Sequence, residues 1–276
     1  MNYAQLFRQY EEQLEFSGED SENLIYVFKE LADWTTTDYL LNQNQEVSLN
    51  HQKLLLSILE QLKGHRSPQY ITGKAYFRDL ELSVDERVLI PRPETEELVE
   101  LILSENSSKN LSILDIGTGS GAIAISLKKS RPFWSVSASD ISNDALALAK
   151  VNALNEQVTV DFIQSDVLAN ITGTYDIIVS NPPYIAYSDE NEVGTNVLAS
   201  EPHLALFAEE EGYAIYRQII ENAAAYLSDR GKLYFEIGYK QGEGLRELLI
   251  KSFPKHRVRV LKDVFGKDRM VVLDNE

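Results

Sequence analysis

The sequence predicts an α/β protein built on a seven-stranded, mostly parallel sheet, with a small helical bundle ahead of it. Three observations lead there. Short apolar runs alternate with helical patterns after Pro91, a glycine-rich turn joins the first of those runs to the first helix, and residues 1 to about 65 carry helical periodicity alone.

In that first part apolar side chains recur at spacings of three and four: Tyr3, Leu6, Phe7 and Tyr10, then Leu24, Ile25, Phe28 and Leu31, then Leu54, Leu55, Ile58, Leu59 and Leu62. Ser48 is placed to cap the last of these helices and Gly64 to stop it. HRSPQY breaks the pattern, and from Tyr70 to Ile90 the text shifts to alternation, with Ala75, Phe77, Leu80, Leu82 and Val84 around Arg78-Asp79. That alternation predicts a β-hairpin. The expected strands of the sheet are 111–116, 134–140, 158–166, 175–180, 231–238, 256–263 and 268–275, with GAIAISLKK, DALALAKVNALNE and AIYRQIIENAAAYLS as helices between them. Only a short FGK segment separates the last two runs, too little for a helical crossover, so the final strand is expected to enter antiparallel. The chain thus divides into a helical domain over 1–68, a hairpin linker over 69–90 and an α/β domain over 91–276.

Composition removes several function classes. The 276 residues include 26 basic and 43 acidic side chains, a net charge of -17 that opposes free binding to a phosphate backbone. The absence of cysteine excludes disulfides, zinc-thiolate sites, iron-sulfur clusters and thiol nucleophiles. His51, His65, His203 and His256 show no ligand spacing, and no metal is expected. The opening MNYAQLFRQYEEQLEF is too polar for a signal-peptide core and no apolar run approaches membrane-spanning length, which gives the expectation of a soluble, cytoplasmic protein.

The glycine turn reads Asp115-Ile116-Gly117-Thr118-Gly119-Ser120-Gly121, where closely spaced glycines let a ligand approach the backbone and its N–H groups. Asp140 ends the second strand of the sheet, where a carboxylate accepts hydrogen bonds from ribose hydroxyls; Asp166 follows the third, placed to accept from an adenine amino group, with Val167 to pack on the ring. The spacing does not choose between NAD and S-adenosylmethionine, since both carry adenosine. A P-loop is excluded because Gly73-Lys74 is followed by Ala75, and a serine-hydrolase elbow because Ser120 lies directly between two glycines.

Asn181-Pro182-Pro183-Tyr184 closes the fourth strand of the sheet, beside the glycine turn. Two prolines fix φ and hold the Pro182 carbonyl rigidly outward, Asn181 adds a side-chain acceptor, and Tyr184 offers a ring to stack on a planar group. Two acceptors suit an amide or aromatic –NH₂, whose lone pair is delocalised: hydrogen bonds from its protons favour electron density on nitrogen as it attacks. A rigid corner also supplies alignment.

DIGTGSG (115–121), SD (139–140), SD (165–166) and SNPPY (180–184), with QYITGKAYF (69–77), LIPRPETEELVE (89–100), EPHLALFAEEEG (201–212), FEIGYKQGE (235–243) and FGKDRMVV (265–272), resemble the release factor glutamine methyltransferases of the HemK/PrmC type across nearly the whole chain. The resemblance implies a Rossmann-like methyltransferase sheet, S-adenosyl-L-methionine (AdoMet) as cofactor, and methylation of N5 of the glutamine in the GGQ motif of peptide chain release factors. It implies that Gly117 to Gly121 hold the methionine part, Asp140 the ribose, Asp166 and Val167 the adenine, and Asn181 to Tyr184 the glutamine amide. The helical domain is implied to recognise the release factor. Arg78-Asp79 departs from a glycine common in the family's hairpin, and Val167 stands where a larger residue is common.

Arg92 and Glu94 to Glu96 read equally as a lip over the site or as an ordinary helix start with acids in its first turn. The acidic runs Asp189–Glu192 and Glu209–Glu211 read as solvated loops. An adenine or cytosine amino methyltransferase shares the chemistry, but the acidic charge and the lack of a basic patch argue against base flipping. An NAD oxidoreductase leaves Asn-Pro-Pro-Tyr unexplained. A non-catalytic AdoMet-binding module leaves the intact constellation without a use. No stable nucleic-acid or membrane partner is expected.

Overall fold

The structure is a computed structural model that describes residues 1–106 and 110–275, and it divides into two compact units. One comprises Met1–Lys74 with Val193–Glu201, the other Ala75–Glu192 with Pro202–Glu276.

The first unit is helical: Tyr3–Phe16, Glu22–Ala32, Thr36–Asn42, Leu49–Lys63 and Pro68–Thr72, with Thr195–Ser200 from the later segment. Its core gathers the expected stripes, among them Tyr3, Phe7, Leu24, Phe28, Leu55, Ile58 and Leu62, each buried. Leu31 departs from them and is 42% exposed in the last turn of its helix. The Ser48 hydroxyl accepts from the His51 N–H at 3.2 Å, and Gly64 closes the same helix, as its sequence requires. His51 is a packing residue, its ring edge-on to Phe28 and Trp34. The helices Thr36–Asn42 and Pro68–Thr72 were not foreseen. The first is capped by Thr35 and Asp38 reciprocally, a local signal that carries no apolar stripe; the second starts on Pro68 and ends at Gly73 with φ 73°.

A hairpin of β1 (Lys74–Phe77) and β2 (Leu80–Ser83) opens the second unit, with Lys74 the last residue of the first segment of unit one. This hairpin is part of the α/β unit's core, since Phe77, Leu80 and Leu82 are buried with Leu98, Ile113 and Trp134. Arg78, at the turn of the hairpin, takes φ 54°, and its backbone N–H donates to the Glu96 carboxylate at 3.0 Å.

Seven strands follow: β3 (Ser112–Ile116), β4 (Ser135–Asp140), β5 (Asp161–Gln164), β6 (Tyr175–Ser180), β7 (Leu227–Glu236), β8 (Arg257–Lys262) and β9 (Asp268–Asp274). They lie in the order β5-β4-β3-β6-β7-β9-β8, parallel through β7, with β9 antiparallel to both neighbours, so the expected antiparallel final strand is present. Two strands depart from expectation by two residues or more at each end. β5 is confined to four residues, and β7 begins at Leu227 rather than Gly231, because the helix Ala214–Asn222 tightens through the 3₁₀ turn Ala223–Ala225 instead of running on to Ser228.

Alternate residues of the central strands enter opposite cores. Ile113, Ile177, Val179 and Tyr234 pack on one face under the helices Pro93–Glu105 and Ala122–Ser130; Leu114, Ile178, Leu233 and Phe235 pack on the other against Ala214–Asn222 and Gly242–Ser252. The chain moves outward from β3 to β4 and β5, then returns to place β6 on the other side of β3. The carboxyl ends of β3 and β6 therefore flank the point where strand order reverses, which is where a doubly wound sheet opens a crevice.

Candidate active site

A cleft of about 440 Å³ occupies that crevice, within the size range of ligand sites. It is lined by Gly117, Thr118, Gly119, Ser120, Asp140, Asp166, Val167, Asn181, Pro182 and Pro183, so one cavity unites ten of the twelve expected site residues. Gly121 and Tyr184 do not line it. Gly121 is a packing glycine: with φ 85°, a Cβ there would meet Ile125 Cδ1 at 2.8 Å and Ala149 Cβ at 3.3 Å, so the bare Cα lets the following helix seat closely. Tyr184 is partly buried against the core beneath β6 and β7, and its backbone carbonyl accepts from the Gln241 amide at 3.1 Å.

Gly117 and Gly119 have φ 73° and 55°, and a Cβ at either would meet no atom within 4 Å, so these two positions are bare toward the opening. The N–H groups of this turn serve the turn itself. Those of Gly117 and Thr118 both donate to the Ser139 carbonyl, at 2.8 and 2.9 Å, that of Gly121 donates to Thr118, and that of Gly119 donates to Asp140 Oδ2 at 2.9 Å. The expectation of exposed amides is corrected for these four residues. What the glycines provide is a left-handed path without side chains.

Asp140 also accepts from the Ser142 N–H at 2.9 Å through Oδ1, so it fixes the glycine turn on one side and the next helix on the other. Burial raises its pKa, and these backbone donors hold the rise back. Asp115 beneath the turn is fully buried, and desolvation pushes its pKa up to about 7 against the pull of the Thr118 hydroxyl, which donates to it at 2.6 Å. Val167 takes φ 47°, a strained conformation for a β-branched residue, and lines the cleft beside Asp166.

Arg92 and Thr95 line the cleft, while Glu94 and Glu96 are first-turn acids of the helix Pro93–Glu105, so the lip reading fits Arg92 and Thr95 and the helix-start reading the acids. Behind Asn181 lies a buried pair that sequence reasoning missed. The Asn181 amide donates to the Thr95 hydroxyl at 3.2 Å, and the Thr95 hydroxyl donates to Glu236 Oε2 at 2.6 Å. Glu236 is 1% exposed at the carboxyl end of β7, and burial raises its pKa to about 7. Its signal in the sequence was a lone carboxylate inside the otherwise apolar run Leu233-Tyr234-Phe235-Glu236-Ile237. The cleft also takes apolar surface from Val88, Leu89, Ile141 and Leu204, none of them singled out beforehand.

A strap holds the segment after Pro183. Ile185 pairs with Phe207, its N–H donating to the Leu206 carbonyl and its carbonyl accepting from Ala208, both at 3.0 Å. Glu210 and Glu211 follow with φ 54° and 58°, then Gly212 with φ 85°, where a Cβ would fall 2.1 Å from the Tyr184 carbonyl oxygen. Of the acidic run before the strap, Asp189 and Glu192 pair with Lys240 at 3.3 and 2.7 Å, so that loop is tied to the unit's own lysine. Among the described residues no group of three metal-ligating side chains is present, and no helix is long and apolar enough to cross a membrane.

Comparison with known proteins gives the family. A family model described as Methyltransferase small domain matches residues 94–206, and one described as PrmC N-terminal domain matches residues 5–73. A release factor glutamine methyltransferase of Streptococcus pneumoniae is 56% identical over 276 residues, spanning 100% of this chain and 99% of that protein. One of Lactococcus lactis is 52% identical over 253 residues, spanning 92% and 94%. A solved methyltransferase from Pyrococcus furiosus shares the fold at a TM-score of 0.55 and 19% identity, over 71% of this chain and 89% of its own. With a full-length relative at this identity and both domain models in chain order, the chain belongs to the release factor glutamine methyltransferase family.

Proposed function

We propose that this protein transfers a methyl group from AdoMet to N5 of the glutamine in the GGQ motif of peptide chain release factors, leaving S-adenosyl-L-homocysteine. The observation that carries the reading is the single cleft that joins a bare glycine turn and two strand-end carboxylates to an Asn-Pro-Pro corner.

The cleft fits the cofactor: Gly117 and Gly119 leave space where side chains would stand, and Asp140 and Asp166 provide acceptors along the same wall. In this assignment Gly117 to Ser120 hold the methionine part, with Gly121 seating the helix behind them, Asp140 holds the ribose hydroxyls, and Asp166 with Val167 the adenine. Bound there, AdoMet supplies an electrophilic methyl on a sulfonium.

The remaining work belongs to the protein. Asn181 Oδ1 and the Pro182 carbonyl accept the two N–H groups of the target amide, which orients its nitrogen and favours lone-pair density on it. The prolines keep that corner from relaxing, so alignment is set before substrate arrives. Val88 and Leu89, with the exposed Leu204, give the cleft apolar surface beside the glycine turn and the corner. The helical unit over 1–74, matched by the PrmC N-terminal model, is assigned to recognition of the release factor, and the cytoplasm is the compartment where that substrate works.

The test is transfer of labelled methyl from AdoMet to purified release factor, beside a GGQ→GGA variant and duplex DNA. Label on the wild-type factor alone, mapped to the GGQ glutamine, is the expected result. Equal label on the variant, or label on DNA, overturns the assignment.

A further inference from the structure

A side-chain amide has an acceptor end and a donor end, and the proposed chemistry needs the acceptor end of Asn181 toward the cleft. Nothing in Asn-Pro-Pro-Tyr itself decides which end that is, because the two orientations have nearly the same shape. The decision lies in what stands behind the residue.

Behind Asn181 are Thr95, 4% exposed, and Glu236, 1% exposed. The Thr95 hydroxyl has one proton, and it is given to Glu236 Oε2 over 2.6 Å. Its oxygen is then left with lone pairs only, and it accepts the Asn181 N–H at 3.2 Å. The same Asn181 N–H end also faces the Glu236 carboxyl and helps hold its pKa down. A reversed Asn181 would bring its carbonyl oxygen against a hydroxyl already committed and a carboxylate, with no donor for it in a buried place.

We infer that Thr95 and Glu236 are positioning residues for methyl transfer: the proton order Asn181 to Thr95 to Glu236 fixes the Asn181 amide so that Oδ1 faces the substrate. This rests on the function proposed above for the same site. Thr95 comes from the first turn of the helix Pro93–Glu105 and Glu236 from the end of β7, so the helix that forms the lip of the cleft also sets the polarity of its acceptor.

The arrangement depends on Glu236 being able to accept. Besides Thr95 and Asn181, the charged and titratable groups facing it are Arg269, which stabilises the carboxylate, Glu94, which opposes it, and the Tyr184 and Tyr216 side chains, whose own pKa values its charge raises. With desolvation as the largest cause, the carboxyl sits at about 7. Protonation below that pH adds an O–H donor beside the remaining acceptor oxygen. Thr95 can then accept from that O–H and donate toward Asn181, and the preference for Oδ1 outward is weakened.

Two measurements separate this inference from the functional one. The side-chain amide resonances of Asn181, read in selectively ¹⁵N-Asn-labelled protein and assigned by their loss in Asn181→Ala, report the hydrogen bond without any substrate. They are expected to titrate with a midpoint near pH 7 in the wild type, to stop titrating in Glu236→Gln, and to move toward solvent-like shifts in Thr95→Val but not in Thr95→Ser. Asn181 resonances that do not titrate and are indifferent to Thr95→Val overturn the relay, whatever the enzyme methylates.

Single-turnover transfer to release factor then reads the consequence. Thr95→Val is expected to lose about 10- to 100-fold in rate at unchanged AdoMet affinity, and Thr95→Ser to recover to within about threefold of wild type. A rate loss in Thr95→Val that Thr95→Ser does not recover, or one matched by a loss of AdoMet affinity, assigns Thr95 to structure and overturns the positioning role. Wild-type protein that transfers nothing to release factor refutes the functional reading alone, since the resonance measurement still decides the relay.

Discussion

The two walls of the cleft are made in different ways. The glycine wall is one continuous stretch, Gly117 to Gly121, whose hydrogen bonds run to Ser139, to Thr118 within the turn and to Asp140 on the adjacent strand β4. The Asn-Pro-Pro wall is also short in sequence, but its restraints come from far along the chain: Thr95 at 86 residues' separation, Glu236 reached through Thr95, and Gln241 and Gly212 on the Tyr184 carbonyl. The glycine wall is shaped by backbone conformation and the other by buried side chains that meet only after folding. One is a local solution to letting a ligand come close; the other is a distributed solution to holding two acceptors still.

If that contrast is right, damage to the second wall shows in turnover and damage to the first shows in cofactor binding. The largest effect is expected from Asn181→Ala, which removes one of the two acceptors proposed for the target amide. Methyl transfer should fall by roughly 100- to 1,000-fold with AdoMet affinity within a factor of about two, as read by single-turnover kinetics and titration calorimetry. Near-normal turnover would erase the distinction between the walls.

Gly212→Ala comes next. A Cβ would fall 2.1 Å from the Tyr184 carbonyl oxygen at a residue with φ 85°, so strap and corner cannot both keep their places. A loss of at least about 3 kcal/mol is expected in denaturant unfolding, combining left-handed strain with a backbone clash. A melting curve like that of the wild type would show that the strap does not hold the corner.

Asn152→Ala sharpens the comparison from the glycine side. Asn152 is fully buried; its amide donates to the Ser83 carbonyl at 3.0 Å and the Ser120 carbonyl at 2.9 Å, and its Oδ1 accepts from the Ser83 N–H at 2.8 Å. It joins β2 to the glycine turn, a restraint from a distant segment of the kind that holds the opposite wall. Truncation leaves buried backbone groups unsatisfied and should cost about 2 kcal/mol, with hydrogen exchange rising first around Ser83. Protection at Ser83 equal to that of the wild type would remove the link.

The smallest expected change is in Asp140→Ala. AdoMet affinity should weaken by about 10- to 30-fold, the size of one or two charge-assisted hydrogen bonds, while the rate of the bound complex moves little. A variant that binds AdoMet normally takes Asp140 out of the cofactor site, and one that binds normally but turns over slowly would invert the division of labour between the walls.

Legibility follows the same line. Hydrophobic periodicity gave the strands β3 to β9, the antiparallel closure and the stripes of the helical unit, because burial on a repeating geometry leaves a repeating trace. It missed Thr36–Asn42, which has caps but no buried stripe, and it ran the helix after Ala214 too far, because AAA favours a helix while β6 draws Leu227 into a strand, where it pairs with Tyr175. That the glycine turn, Asp140, Asp166 and Asn181 line one cleft was legible because each sits at or just after a strand end, on the same edge of the sheet. Tyr184 was expected at the cleft surface and is instead partly buried beneath it, packed under Gln241 and Gly212.

By itself the sequence determined the sheet, its closing antiparallel strand, the glycine turn and the corner that faces it, since each is written in contiguous residues whose backbone preferences point one way. Only the tertiary structure decided that the hairpin joins the α/β core, that the amides of the glycine turn are spent on Ser139 and Asp140, and that Thr95 and Glu236 stand behind Asn181. Those outcomes depend on which groups are brought together out of water, where a hydrogen bond once made is costly to leave unmade. No local pattern of residues encodes that choice of partner.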